Sequence, residues 1–398
     1  MGKSLPAIPR TVWMLGFVSL FMDMSSELVH SLLPVFLVST LGASVMTVGL
    51  IEGVSEAATF VAKVFSGALS DFFRRRKALI LLGYGMAALT KPLFPLATSA
   101  ETVFLARFLD RIGKGIRGAP RDALVADVAP AEIRGACFGL RQSMDTVGAV
   151  LGPLLAMAMM VWLANDIRHV LWFAVLPAFV AVLLIVVGIE EPKDESSGHR
   201  FRSPIRRDVI QQFSSDYWRV VAVGAIFTLA RFSEAFLILR AQQVGMLLVW
   251  VPLVMVVMSL VYSISAYPAG ILSDRVNRRS LLAIGIIMLT LADLVLAWAG
   301  SPLIVLLGVA LLGLHMGFTQ GIFAAMITDV TPPEWKGTAF GLFNLASGVF
   351  VLLASLVAGG LWERFGAAIT FYSGAALSLS ALMMLVLLYP GRGEGNIG

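Results

Sequence analysis

DVAPAEIRGACFGL at residues 127–140 recurs two hundred residues later as DVTPPEWKGTAFGL at residues 329–342. The stretch GALSD at 67–71 is matched by GILSD at 270–274, and Ser26-Glu27 is matched by Ser233-Glu234. All three pairs keep a similar shift along the chain. A repeat at a fixed shift indicates that one structural unit occurs twice. We therefore expect two related halves.

The composition around these repeats is that of a membrane protein. Of 398 residues, 58% are hydrophobic and 14% are charged, with a mean hydropathy of +0.86. A helix that spans the hydrocarbon layer needs about 20 apolar residues, and the chain contains about twelve such stretches. We predict an all-α membrane protein with about twelve transmembrane helices in two pseudo-symmetric six-helix bundles. The predicted spans are 12–39, 45–69, 78–98, 101–125, 136–162, 167–188, 217–240, 246–271, 280–299, 302–327, 338–361 and 366–389.

Loop charges predict how the chain is oriented. The net charge is +5, and arginines cluster after the second, sixth and eighth spans. Because cytoplasmic loops carry the excess of Lys and Arg, we expect these loops and both termini to be cytoplasmic. We expect the chain to be a multi-pass protein of the inner cell membrane. We do not expect the first span to be a cleaved signal peptide, since it is long and carries acidic residues. The net positive charge is thus explained by the loop cations that set the membrane topology. We expect no nucleic-acid partner.

The repeat also predicts the domain division. Residues 1–188 form the first six-helix bundle, 189–216 a cytoplasmic linker, and 217–398 the second bundle. Transporters built from two such halves bind their ligand near the midplane between them. With a single cysteine, Cys137, an internal disulfide and a cysteine-cluster metal site are excluded.

The loop after the second span and its copy resemble a signature of the major facilitator superfamily. The matching residues are Gly67, Asp71, Arg75 and Arg76 in the first copy and Gly270, Asp274, Arg275, Arg278 and Arg279 in the second. Phe72 and Arg74 depart from the pattern, and Asn277 replaces its second glycine; Asn tolerates a positive φ better than most residues. The resemblance implies a cytoplasmic latch that stabilises the outward-open state. A topology signal alone would also place arginines here.

Spans four and five carry two further resemblances to this superfamily. Arg107-Phe-Leu-Asp110 is similar to a signature whose arginine is linked to proton transfer. Gly148, Gly152 and Pro153 are similar to the signature of exporters that exchange drug for proton. Glycines four residues apart also let helices pack closely, so packing alone remains an alternative.

Ionisable residues inside the spans are the candidate coupling and substrate residues, because a charge at mid-bilayer costs about 3 kcal/mol or more. Asp23, Glu27 and His30 share one face of the first span. One explanation places them with Arg107 in a central cavity; the other pairs the acids of spans one and two with the bases of span four as a fixed network. The second half is sparser, with Asp293 and His315 as further candidates. The predicted cavity set is Asp23, Glu27, His30, Glu52, Glu56, Arg107, Asp110, Arg111, Lys114, Arg141, Asp145, Arg231 and Glu234.

These residues favour a monomeric secondary transporter that exports a small molecule in exchange for protons by alternating access. Transport of a divalent metal ion, or of a metal chelate such as a siderophore, is an alternative through Asp23, Glu27 and His30. Transport of an organic anion along the bases of span four is another. From a different class, a non-transporting receptor or scaffold stays open. No phosphate-binding glycine loop or hydrolase motif is found, so we expect neither an enzyme nor a cofactor.

Overall fold

The first half of the chain is a bundle of six membrane-crossing segments. The computed structural model describes residues 6–73, 75–190, 205, 207–273, 276–319 and 321–388. The helices of this half are α1 (Arg10–Val35, continued by a π-helical turn at Phe36–Thr40), α2 (Val45–Phe73), α3 (Arg76–Thr90), α4 (Leu93–Leu96), α5 (Ala100–Val128), α6 (Arg134–Trp162), α7 (Ile167–Trp172) and α8 (Val175–Gly188).

The second half repeats this arrangement. A short helix, α9 (Arg207–Ile210), precedes it. The remaining helices are α10 (Ser215–Leu229), α11 (Ala235–Gln243), α12 (Leu253–Ser273), α13 (Arg278–Trp298), α14 (Pro302–Thr319), α15 (Ile322–Asp329), α16 (Lys336–Phe365) and α17 (Ala367–Leu388).

In the part of the chain that the structure describes, twelve segments cross the molecule, as the hydropathy predicts. Within the described residues, ten of them are long and apolar enough to span a membrane by composition alone. The other two are α5, which carries a stripe of charged residues, and the pair α10–α11, which is interrupted at residues 230–234. Both exceptions lie beside the space between the halves. Polar groups are placed there because protein, not lipid, surrounds them.

The internal repeat in the sequence is reproduced in detailed contacts. Lys77 donates to the carbonyl of Val186 at 3.1 Å, and Arg279 donates to the carbonyl of Val386 at 3.1 Å. Each contact ties the start of a helix in one half to the end of the last helix of that half. The duplicated sequence therefore folds into a duplicated structure.

Glycines on α6 set the distance between α1 and α6. A Cβ on Gly152 would lie 2.5 Å from the carbonyl oxygen of Met24, and one on Gly148 would collide with the carbonyl of Leu20. Pro153 is buried in the same helix. The two helices therefore meet backbone to backbone, which brings the acids of α1 close to the polar residues of α6.

The halves touch each other mainly at one end of the bundle, which we call the opposite end. A Cβ on Gly53 would meet the side chain of Ser355 at 3.0 Å, and the Met46 N–H donates to Glu363 at 3.2 Å. One hydrophobic core here contains residues of both halves, including Leu28 and Phe236. The other end carries the arginine clusters and is called the basic end.

At the basic end each half has a core of its own. One core contains Val12 and Ile80 of the first half, and the other contains Tyr217 and Ile286 of the second half. One shared core and two separate cores describe two bundles that are closed together at the opposite end and parted at the basic end. A cleft between them follows from this packing.

Candidate functional site

A cavity of about 480 Å³ lies between the halves. This volume suits a small organic molecule. The lining residues are Glu27, His30, Glu52, Glu56, Phe60, Arg111, Lys114, Phe227, Thr228, Ala230, Arg231, Phe232, Ser233, Glu234, Leu237, Leu289, Asp293, Leu312, Met316, Phe323, Phe343, Ser347 and Val351. The first half supplies a wall that is almost entirely charged, and the second half supplies one that is mainly aromatic and aliphatic.

A buried ion pair closes the cavity toward the interior of the first half. Glu52 accepts from Arg107 at 2.8 Å, and both side chains are at most 2% exposed. The Ser233 hydroxyl of the second half donates to the same Glu52 oxygen at 3.4 Å. The carboxylate therefore links α2, α5 and the break in the seventh span, and Arg107 stands behind the cavity wall without lining it.

Two of the three residues predicted to share a face of α1 lie at the cavity. Glu27 and His30 both line the cavity, with 3.5 Å between a Glu27 carboxylate oxygen and His30 Nδ1. His30 Nε2 lies 3.9 Å from Glu52. The imidazole thus stands between two carboxylates, one exposed to the cavity and one buried.

Asp23, one turn earlier, has a different partner. Its carboxyl lies within hydrogen-bonding reach of the Asp145 carboxyl on α6. A hydrogen bond between two carboxyls requires a proton on one of them. Arg121 Nη1 is 3.8 Å and Arg141 Nη1 is 4.0 Å from Asp145. Asp23, Asp145 and Arg141 are not among the residues that line the cavity, so they stand outside the predicted common site.

The cavity has one further ion pair and one exposed cation on the first half. Arg111 Nε lies 3.0 Å from Glu56, whose side chain is 29% exposed. Lys114 is exposed to the cavity, and within the described residues it has no ion-pair partner closer than 4.0 Å. Lys114 is the cation of this wall that is most available to a bound molecule.

Asp110 departs from the prediction. It binds Lys91 at 2.9 Å, and Lys91 also donates to Ser26 at 3.0 Å. Both partners of the ion pair are buried between α3 and α5, away from the cavity. Asp110 follows Arg107 by three residues, a spacing that makes the two neighbours on the surface of α5, yet the packing of α3 against α5 pairs it with Lys91. It belongs to the fixed network inside the first half.

In the second half the break at 230–234 carries Arg231 and Glu234 to the cavity wall. Asp293 on α13 also lines the cavity and is 3% exposed. His315 is fully buried and its Nδ1 lies 2.7 Å from the carbonyl of Gly285, so it packs inside the half and does not line the cavity. The chain therefore brings acids and bases of both halves to one space.

The alternative metal site is not assembled. Within the ranges that the structure describes, no group of three His, Cys, Asp or Glu side chains is arranged to hold a metal ion. Asp23 turns to Asp145, while Glu27 and His30 face the cavity. Residues of one face of α1 therefore have two different surroundings, namely α6 and the cavity.

The latch loops show a repeated ion pair that sequence reasoning missed. Arg76 pairs with Asp127, and Arg278 pairs with Asp329. In each half the start of one helix is tied to the end of the next long one. The signal was present in the first quoted repeat, which begins with these two aspartates.

Several latch residues have other surroundings. Arg75 is exposed, Gly67 is near Ala119, and a Cβ on Gly270 would meet no atom within 4 Å, while Arg279 makes the contact with α17 already described. Asp274, Arg275 and the side chain of Asp71 lie outside the described residues. Asn277 does not use its tolerance of positive φ: its φ is −55°, and its side chain accepts from the Arg279 N–H as the cap of α13.

The aromatic wall was also missed by sequence reasoning. Phe227, Phe232, Phe323 and Phe343 all line the cavity. Phenylalanines in apolar helices carry no periodic sign that separates a cavity face from a lipid face, so only the packing of the helices reveals them.

Comparisons with known proteins agree with this architecture. The family model of the Major Facilitator Superfamily matches residues 15–257 and 239–397. An uncharacterized MFS-type transporter of Methanocaldococcus jannaschii is 31% identical over 387 residues, covering 96% of this chain and 95% of that protein. A probable 4-methylmuconolactone transporter of Cupriavidus pinatubonensis is 26% identical, covering 78% and 74%. A crystallised variant of the nucleoside transporter NupG has the same fold, with a TM-score of 0.79 at 13% identity over 95% of this chain and 100% of that one. The chain belongs to the Major Facilitator Superfamily, and it is a multi-pass membrane transporter and not an enzyme.

Proposed function

We propose that this transporter exports a small molecule in exchange for protons by alternating access. The observation that carries the proposal is the cavity itself: it lies between two bundles, is closed at one end by their contact, and is lined by ionisable groups of both. Rocking of the halves would break the contacts at the opposite end and form new ones at the basic end. Such a motion exposes the same site to each side in turn.

The orientation follows from the charges. We place the basic end in the cytoplasm because Lys and Arg are retained on that side. The structure is then inward-open, both termini are cytoplasmic, and the membrane is the inner cell membrane. We keep the predicted division into bundles 1–188 and 217–398 with a linker at 189–216, and a monomer as the working unit.

Proton coupling is assigned to the acids of α1. Asp23 lies beside Asp145, and we assign one shared proton to this pair, while Glu27 faces the cavity beside His30. Water reaches this region from the basic end, since the Asp145 side chain is 23% exposed. Loss of the shared proton leaves two facing carboxylates, whose repulsion is offset by Arg121 and Arg141. The proton at Asp23 is thereby tied to the arrangement of α1 against α5 and α6.

A test uses the full chain in proteoliposomes with an imposed pH gradient. A panel of organic cations, organic anions, neutral compounds and metal ions is added, and proton movement is followed with a trapped pH dye. At least one compound should drive proton flux, and a protonophore should abolish its uphill transport. Asp23→Asn and Glu27→Gln should abolish the compound-driven flux, whereas the exposed-loop variant Asp166→Asn should retain it.

The assignment fails if both neutral α1 variants move the compound with the pH dependence of the unmodified chain. If no compound in any class moves protons, proton exchange is wrong as a whole. If a compound crosses the membrane without moving protons, the protein is still a transporter, but the proposed proton coupling is wrong. Binding without any transport would favour the receptor.

An organic anion is the second candidate cargo, and Lys114 is the observation that favours it. This cation is exposed to the cavity without an ion-pair partner within the described residues. A relative is named as a probable transporter of 4-methylmuconolactone. Lys114→Ala should then lower the uptake of anions, with the remote surface variant Arg219→Ala as the matched control. Unaltered uptake of every anion by Lys114→Ala would remove this candidate.

A further inference from the structure

One carboxyl group of the cavity has no counter-charge. Asp293 lines the cavity on α13, and its Oδ2 is buried without a hydrogen-bond partner in the described residues. It forms no ion pair with any of the described residues. An isolated ionised carboxylate in such a place is unstable unless it is paired or neutralised.

The other carboxyl groups of the site have a cation or His30 nearby. Glu52 and Glu56 pair with arginines of α5, Lys114 lies among acids of α1 and α2, and Arg231 is influenced by Glu234. The site contains five carboxyl groups (Glu27, Glu52, Glu56, Glu234 and Asp293), four permanent cations (Arg107, Arg111, Lys114 and Arg231) and His30. Among the carboxyl groups, Asp293 is the one that combines a buried oxygen without a hydrogen-bond partner with the absence of a neighbouring cation in the described residues.

The surroundings of Asp293 leave room for this charge and place an aromatic ring beside it. Gly374 on α17 has no side chain at this point: a Cβ there would lie 2.7 Å from Asp293 Oδ2 and 2.9 Å from Phe232 Cε1. Phe232 also lines the cavity and packs against Phe371. Phe227, Phe323 and Phe343 extend the aromatic wall. Aromatic faces attract organic cations, most strongly where water is excluded.

We propose that Asp293 and Phe232 form a subsite for the positively charged nitrogen or phosphorus of an aromatic organic cation, which is the cargo class of this transporter. The empty subsite holds a proton on Asp293. The cation displaces that proton, which leaves through the cleft, so binding exchanges one positive charge for another. The apolar body of the cargo lies on the aromatic wall. This subsite rests on the proposed exchange function.

Other charged groups could contribute a pH dependence of their own. On the elements around α13 these are His315 on α14 and Arg231 and Glu234 at the break. None of them forms an ion pair with Asp293 in the described residues. A pH effect that belongs to Asp293 must therefore disappear when Asp293 alone is neutralised.

The test is equilibrium dialysis of the full chain in detergent with tetraphenylphosphonium, and with tetraphenylborate as the probe of the same shape and opposite charge. Empty micelles give the blank. We expect tetraphenylphosphonium to bind more tightly as the buffer becomes more alkaline and to release protons on binding. Asp293→Asn should weaken its binding by about tenfold or more and remove the pH dependence. Asp166→Asn should bind as the unmodified chain does.

Gly374→Ala is the second variant, because it keeps the carboxyl and fills the space beside it. It should also weaken tetraphenylphosphonium binding, and thermal unfolding checks that both variants are folded. Equal binding of phosphonium and borate, or unchanged phosphonium affinity in folded Asp293→Asn, overturns the subsite. If the phosphonium fails to bind but another compound drives proton flux, only the subsite is wrong. If it binds through Asp293 but moves no protons in proteoliposomes, the exchange function is wrong and the subsite stands.

Discussion

Replacing Glu52 by glutamine should destabilise the transporter strongly, because it leaves a buried arginine without its counter-charge. Glu52 is 1% exposed and accepts from Arg107 at 2.8 Å. Glutamine has the same shape and keeps one acceptor oxygen, so the change removes charge and little else. Arg107 cannot lose its proton in compensation, and its Nε already lacks a hydrogen-bond partner.

The expected size follows from burial. Breaking one side of a buried ion pair costs about 3–5 kcal/mol. The adjacent pair offers a matched comparison on the same two helices: Glu56 lies one turn after Glu52 and binds Arg111 at 3.0 Å, but its side chain is 29% exposed. Arg111 is itself only 4% exposed, but it borders the cavity and keeps Glu52 and Asp110 as nearby counter-charges, so Glu56→Gln should cost less than Glu52→Gln, about 1–2 kcal/mol.

The measurement is denaturant unfolding of both variants in mixed micelles, together with the double variant Glu52→Gln/Arg107→Met. Methionine removes the stranded charge and fills similar space, so the double variant should regain most of the stability lost by Glu52→Gln. Equal losses in the Glu52 and Glu56 variants would show that burial does not set the cost. A double variant no more stable than Glu52→Gln would show that Arg107 is not the destabilising charge.

Three further perturbations test other parts of the structure. Gly152→Ala should lower the free energy of unfolding by about 1–3 kcal/mol, because its Cβ would lie 2.5 Å from a backbone carbonyl of α1. Gly139→Ala, on an open face of the same helix, should be neutral or raise it by about 0.5–1 kcal/mol, and denaturant unfolding compares the two variants. Arg240→Ala should cost about 3 kcal/mol in the same assay, because it leaves three carbonyls at the end of α13 without donors now 2.8–3.2 Å away; a loss within error would refute this. Hydrogen bonds from the backbone N–H and then the ring of His169 hold the pKa of the Asp166 carboxyl below its usual value. This contact stabilises α7 above the usual carboxyl pKa and is lost as the pH falls through the lowered one, so the stability difference between the unmodified chain and Asp166→Ala should shrink in acid, and a difference that grows in acid would contradict it.

Much of the architecture could be predicted from the sequence. The repeat at 127–140 and 329–342, the apolar runs and the loop arginines predicted twelve spans in two related halves, because hydrocarbon permits few ways to satisfy a backbone. The glycines of α6 were expected to let helices approach, and they meet α1. These are local properties, readable from residue type and spacing.

The partners of the ionisable residues could not be read in this way. Asp23, Glu27 and His30 share one helical face, yet Asp23 turns to α6 while the other two face the cavity. Asp110 is three residues from Arg107 and belongs to a separate pair with Lys91. Which acid meets which base depends on how neighbouring helices are rotated about their axes, and periodicity within one helix does not contain that rotation.

The sequence by itself determined that this protein lies in a membrane as two copies of a six-helix unit, since apolar length and repetition are properties of the chain. Tertiary structure alone decided which charges cancel. Coulombic balance depends on distances between residues far apart in sequence, and only in the folded bundle do the cations near Glu52, Glu56 and Glu234 leave Asp293 as the carboxyl without a counter-charge.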